Sequence, residues 1–248
     1  MTLVGSGALT RRGPVHLCGD LYQVAGGDLT HPYDAGAYLL RGSQCVLIDC
    51  GSVDGHPALL ANLRRLGVAP TDLAAVYATH GHYDHVSGLA PLRALADVPL
   101  WLHPAEREAV RSGDGLMTSA ALLYDRAFPP LTVEHALHDG QVLPGGVRVI
   151  HTPGHSPGSV CFLFETGGRR VLLAGDTLWG GFHSALGSDI DDWRDSLERL
   201  SLERFDVMSF GHVVSHLVLD AQAKVAAARR RLGVLYDPWF VPPAQAAA

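Results

Sequence analysis

The feature that most restricts the fold is the run Thr-His-Gly-His-Tyr-Asp-His at residues 79 to 85, which follows without a break on an apolar, strand-like stretch, Leu-Ala-Ala-Val-Tyr-Ala. A strand that ends this way delivers three imidazoles and a carboxylate into a loop at the edge of a sheet. Neutral imidazole nitrogens and carboxylate oxygens are the ligands a borderline ion such as zinc takes. Taken alone the heptapeptide leaves a polar turn open, because the chain carries 14 histidines.

Three later segments repeat the pattern of a strand closing on a ligand-type residue. At residues 146 to 159 a Gly-Val-Arg-Val-Ile run enters two Pro-Gly turns with His155 between them. In Leu-Leu-Ala-Gly-Asp-Thr-Leu, Asp176 ends an apolar strand, a costly place for a carboxylate without a partner. In Met-Ser-Phe-Gly-His, His212 closes another strand directly after Gly211. Strands that end together would bring His155, Asp176 and His212 toward His80, His82, Asp84 and His85. Seven N and O ligands suit two ions that share one bridge.

The rest of the chain accommodates such a site in a globular protein. Its 248 residues are 47% hydrophobic with no run long enough to span a membrane, which predicts a sizeable core and no membrane association. The first dozen residues lack the basic start and apolar stretch of a secretory signal, so the expected compartment is the cytoplasm. A formal charge of −6 offers no broad footprint for nucleic acid, and the single basic run, Arg229 to Arg231, suits the end of a helix. Cys18, Cys45, Cys50 and Cys161 form no CxxC pair and read as free thiols.

Short β-rich segments come first (Val-His-Leu-Cys-Gly, Leu-Tyr-Gln-Val-Ala-Gly, Ala-Tyr-Leu-Leu-Arg-Gly and Cys-Val-Leu-Ile-Asp-Cys-Gly), separated by Gly, Asp and Pro clusters. Leu59, Leu60, Leu63 and Leu66 share one face of a helix that Gly67 ends. The strand into the opening motif, a helix over 87–96, a strand at Pro-Leu-Trp-Leu-His, a helix from near Pro104 and another over 119–127 follow. The second half runs through three strands, a helix at 191–200, the strand toward His212 and a terminal helix over 219–232. Residues 128 to 145 read as a turn-rich crossing between halves, and with no linker visible residues 1–248 are expected to form a single domain. Two sheets sandwiched between helices fit this order.

The combination of H-x-H-x-D-H, a later Thr-Pro-Gly-His, a Gly-Asp after a strand and a final Gly-His resembles the metallo-β-lactamase superfamily, in the family's own order, from the strands ending in Asp49 to His212. The resemblance implies an α/β (α+β) fold, a four-layer αββα sandwich of two mixed β-sheets flanked by helices, with a metal centre at one sheet edge. It implies two divalent ions, zinc foremost with iron or manganese as alternatives. His80, His82 and His155 would hold one ion, Asp84, His85 and His212 the other, and Asp176 would bridge them. Asp49 matches the acidic residue that supports the metal loop from behind, and Cys50 is expected to be a packing residue.

The resemblance further implies a metal-dependent hydrolase in which water ionised between the ions attacks a small ester, thioester or lactone carbonyl, with Asp84 passing the proton. Departures guide the choice of substrate. Only 36 residues follow His212, so no glutathione-binding region is expected, and the Gly-Arg-x-Asp pattern of glyoxalase-type thioesterases and persulfide dioxygenases is replaced by Trp-Gly-Gly-Phe-His. The alternatives are a β-lactam hydrolase, a dioxygenase holding a single iron, and a non-catalytic binding protein on the same fold. Tyr83 is expected to pack beneath the loop, with substrate contact as its other reading. Trp179, Phe182 and His183 are candidates for substrate contact, and His151 need not share the pocket of His155. The expected partner is a small molecule, and family members are often homodimers.

Overall fold

The computed structural model describes residues 13–178, 180–212 and 216–232; Trp179 lies outside them. Its first sheet has seven strands in chain order: β1 (Val15–Cys18), β2 (Leu21–Ala25), β3 (Ala37–Arg41), β4 (Cys45–Ile48), β5 (Leu73–Tyr77), β6 (Leu100–Leu102) and β7 (His135–Ala136). The first four form an antiparallel meander, and β4 to β7 run parallel. The second sheet contains β8 (Val142–Leu143), β9 (Val147–His151), β10 (Val160–Thr166), β11 (Arg169–Leu173) and β12 (Val207–Ser209), in the order β12-β11-β10-β9-β8. Only the β11–β12 pair is parallel there, so both sheets are mixed.

Alternation along the strands builds the layers. Tyr38, Leu40, Val46, Ile48 and Tyr77 of the first sheet meet Val149, Phe162, Phe164, Val171 and Leu173 of the second in one buried cluster. The residues between them point outward. Leu39, Leu47 and Val76 pack with Leu59 and Leu63 of α1 (His56–Arg65). Cys161, Leu163 and Leu172 pack with Trp193 and Leu197 of α6 (Ile190–Leu202) and Val225 of α7 (Ala221–Arg231). Three buried clusters separate four layers, which is the αββα sandwich, because a sheet apolar on both faces needs cover on both.

Three expectations differ from the structure. The helix read over 87–96 shortens to α3 (Leu89–Arg93), and a separate turn that the sequence did not show, α2 (Tyr83–Val86), precedes it inside the histidine motif. The break has a cause: the Gly88 N–H bonds to the Gly51 carbonyl at 3.0 Å, while the Asp84 carbonyl receives the Ala35 N–H at 3.2 Å. A Cβ at Gly88 would stand 2.6 Å from the Cys50 carbonyl oxygen, so only glycine permits that approach. The crossing at 128–145 holds the edge strands β7 and β8, each two residues long and therefore without a readable period. The helix expected at 119–127 shortens to α5 (Ala120–Tyr124), preceded by α4 (Arg107–Ser112). Gly67 ends α1 as expected, in the left-handed region at φ 73°.

The four cysteines are free, with Cys50 and Cys161 buried. Arg229 to Arg231 lie in the last turn of α7, and no helix among the described residues is long and apolar enough to cross a membrane. Phe162 is fully buried between the sheets, so Phe162→Ala should cost about 3–5 kcal/mol of stability, read from denaturant unfolding.

Candidate metal centre

The parallel strands β4 and β5 run side by side, so Asp49, just past β4, reaches the segment just past β5. Asp49 sits at φ 56° and accepts bonds from the Thr79 N–H and hydroxyl, each at 2.8 Å, and from His85 Nδ1 at 2.9 Å. One buried carboxylate thereby ties the exit of β5 to the ring of His85. Cys50 stays in the packing, its thiol toward the Val86 carbonyl.

The second sheet is fastened to the same edge. The Val160 N–H at the start of β10 donates to the Thr79 carbonyl at 2.8 Å. The Tyr38 hydroxyl on β3 donates to the Phe210 carbonyl past β12 at 2.9 Å, and the Gly36 N–H donates to the Gly211 carbonyl at 2.6 Å. Glu106 joins the two histidine loops: it is buried, accepts the Ser156 hydroxyl at 2.6 Å and the Gly158 N–H at 2.7 Å, and bonds the Gly81 backbone.

Those ties bring all seven candidate residues together. His82 Nδ1 lies 3.0 Å from both His80 Nε2 and His155 Nε2. Four ligands at zinc distances around a tetrahedron stand about 3.3 Å from one another, so three imidazoles this close fit one ion. Asp84 Oδ2 lies 3.5 Å from His85 Nε2 and 3.1 Å from His212 Nε2, which makes a second group. Asp176 touches both: its Oδ2 is 3.2 Å from His212 Nε2 and 3.5 Å from His155 Nε2, and its Oδ1 is 3.3 Å from His85 Nε2. Each group could hold a metal ion.

The chemistry of the donors supports the same reading. Asp84 Oδ2, His85 Nε2 and Asp176 Oδ1 are buried and crowd together without a well-aligned hydrogen bond, an arrangement that a cation between them would suit. Outer nitrogens are anchored: His155 Nδ1 to the Gly181 carbonyl at 2.9 Å, His80 Nδ1 to the Thr79 hydroxyl at 3.1 Å. Such anchors aim the inner nitrogen of a metal-binding histidine.

Charge divides the two groups. Burial, together with the neighbouring imidazoles, holds His80 well below the ordinary histidine range and His82 down to about 3, so both are neutral lone-pair donors. Burial opposes the charge on His85 and His212 as well, but the carboxylates of Asp84 and Asp176 outweigh it, lifting His85 well up and His212 to about 10. Burial likewise pushes Asp176 up, and His212 and His85 overcome it. In the second group protons on imidazole balance the carboxylates where a cation would.

The site opens into a cavity of about 260 Å³ walled by Leu123, Tyr124, Phe182 and Leu186, with His183 at its exposed side. Phe182 and His183 thus stand where substrate contact was expected. Tyr83 packs beneath, its hydroxyl donating to Asp54 Oδ2 at 2.7 Å and its ring beside Tyr124. His151 stacks on His103 at 4.0 Å, away from the cavity. Glu106, Ser119 and Tyr124 were missed, since a lone Glu, Ser or Tyr at a short helix gives no spacing to read.

The chain matches the family model of the metallo-beta-lactamase superfamily over residues 34–212. It belongs to that superfamily. It is 29% identical over 188 residues to a probable metallo-hydrolase of Methanocaldococcus jannaschii, covering 73% of this chain and 88% of that one. An acyl-coenzyme A thioesterase of Gallus gallus is 33% identical over 172 residues, 59% of this chain and 58% of the relative. An N-acyl homoserine lactonase of a Bacillus species is 34% identical over 104 residues, 42% of this chain and 38% of the relative. The match therefore spans less than two thirds of the thioesterase and of the lactonase. In fold, the crystal structure of the metallo-beta-lactamase GOB-18 from Elizabethkingia meningoseptica superposes with a TM-score of 0.75 at 21% identity, over 94% of each chain.

A Cβ at Gly211 would stand 1.9 Å from Asp176 Oδ1. Gly211→Ala should displace that carboxylate and lower the bound metal while far-ultraviolet circular dichroism stays as in the parent protein; unchanged metal content by elemental analysis would contradict the shared position of Asp176.

Proposed function

We propose that this metallo-hydrolase holds two divalent ions, zinc in preference to iron or manganese, and hydrolyses a small ester, thioester or lactone. The observation that carries the proposal is the convergence of seven donors in two groups with Asp176 common to both, at the base of a cavity with an apolar wall. His80, His82 and His155 would hold one ion, and Asp84, His85 and His212 the other. When bound, the pair supplies water acidic enough to ionise near neutral pH and positive charge for a developing oxyanion.

The chain's own residues do the rest. Neutral His80 and His82 require no proton release before they donate. Asp84 borders the cavity, and burial, which opposes its charge, is outweighed by His85 and His212, so its carboxylate is ionised; with Oδ2 toward the ion, its other oxygen takes a proton from water and returns it to the leaving group. Leu123, Phe182 and Leu186 take the hydrocarbon part of the acyl group and keep bulk water from the scissile bond. The likeness to a thioesterase and to a lactonase supports this class of carbonyl substrate.

The test is a side-by-side screen of zinc-reconstituted protein on lactones, thioesters, phosphodiesters and β-lactams. Turnover of a lactone or thioester is expected, and His82→Ala should lower its kcat/KM about a hundredfold or more. Full activity in His82→Ala would refute the assignment, and turnover confined to β-lactams would establish that alternative instead.

A further inference from the structure

Helix α5 covers one side of the cavity and is set in an unusual way. Ser119 before it lies at φ 62° and Asp125 after it at φ 52°. Among the described residues only Asp49, at the metal loop, shares this left-handed backbone without being glycine. Such conformations cost free energy and persist where the surrounding structure enforces them, commonly at functional sites.

The enforcement is visible. Arg126, next in the chain, lies 3.5 Å from Asp54 Oδ1 and over the Tyr33 ring at 5.6 Å. Tyr124 packs its ring between Tyr33 and Tyr83, 5.3 Å from each, and Tyr83 is itself bonded to Asp54. These contacts hold Ser119 and Tyr124 in the wall of the cavity. Tyr124 lines it with its hydroxyl beside the Asp84 carboxylate. Ser119 lines it too, is 1% exposed, and has an Oγ with no hydrogen-bond partner. Leu123, 57% exposed, lines the same cavity.

We propose that α5 is the substrate-recognition arm of this site: Ser119 and Tyr124 hydrogen-bond a hydroxyl or amide on the carbon beside the scissile carbonyl, while Leu123 lies along the hydrocarbon chain. The assignment rests on the hydrolase reading and narrows its substrate to an acyl compound that is polar next to the carbonyl and apolar beyond. Ser119 Oγ lacks a protein partner because the partner comes with the substrate. Its backbone strain is retained because a glycine, which would sit there freely, has no hydroxyl.

The test uses the zinc-loaded full chain with ethyl hexanoate and ethyl 2-hydroxyhexanoate, and calorimetric binding of the two corresponding acids. Wild-type protein should cleave the hydroxy ester with a kcat/KM about tenfold above the plain ester, and bind the hydroxy acid about tenfold more tightly, the yield of one well-made hydrogen bond. In Ser119→Gly and in Tyr124→Phe both ratios should fall to within about threefold. Ser119→Gly should melt no lower than wild type, since it relieves the left-handed strain; a loss of discrimination without a loss of stability is not what a merely structural serine gives. Wild-type ratios near one, or variants that keep the wild-type ratios, overturn the assignment and leave the hydrolase standing. Failure to cleave either ester, any thioester or any lactone overturns the hydrolase reading instead, and the acid-binding ratios then still decide whether α5 recognises this group.

Discussion

Asp176 is the side chain on which the rest of the centre depends. It is 6% exposed, and its two oxygens stand within 3.5 Å of imidazole nitrogens from three different loops. A carboxylate in that position is tolerable only among positive charges, so the three loops must arrive together or the residue is left uncompensated. Gly211 and Gly180 exist in that light: a Cβ on the first would strike Asp176 Oδ1, and one on the second would lie 2.4 Å from His155 Nδ1 and 2.8 Å from Asp176 Cβ.

The sandwich supplies the convergence. Each sheet ends its parallel strands at the same edge, and the loops that follow are bonded across the sheet gap by Val160 to Thr79, Gly36 to Gly211 and Tyr38 to Phe210. Behind the loops two buried carboxylates act as fixtures. Asp49 ties β4 to the first histidine loop, and Glu106 ties that loop to the one carrying His155. Burial raises Glu106 above the ordinary glutamate range, and its bonds from Ser156 and Gly158 resist that rise. The fixtures place the imidazoles, and the protein core places the fixtures.

What could be read in the sequence follows from how far each signal extends. Strands such as Ala37–Arg41 and Val160–Thr166 are nearly continuous apolar runs, buried on both faces and closed by a glycine, and the four ligand segments each stand where an apolar run meets glycine. The start of α2 inside the histidine motif was not legible, because it depends on Gly88 lying against the backbone of 50–52, a contact made only in the folded chain. Strands β7 and β8 owe their pairing to longer neighbours. Ser119 and Tyr124 gain meaning only from a cavity that α5 closes against loops far away in sequence.

The central claim is that two ions share Asp176. Anomalous diffraction from crystals of the zinc-loaded protein, collected across the zinc absorption edge, tests it most directly. The account predicts two peaks about 3.5–4 Å apart, one among His80, His82 and His155, the other among Asp84, His85 and His212, with an Asp176 oxygen on each. A single peak, or two peaks of which one leaves Asp176 uncoordinated, would contradict it.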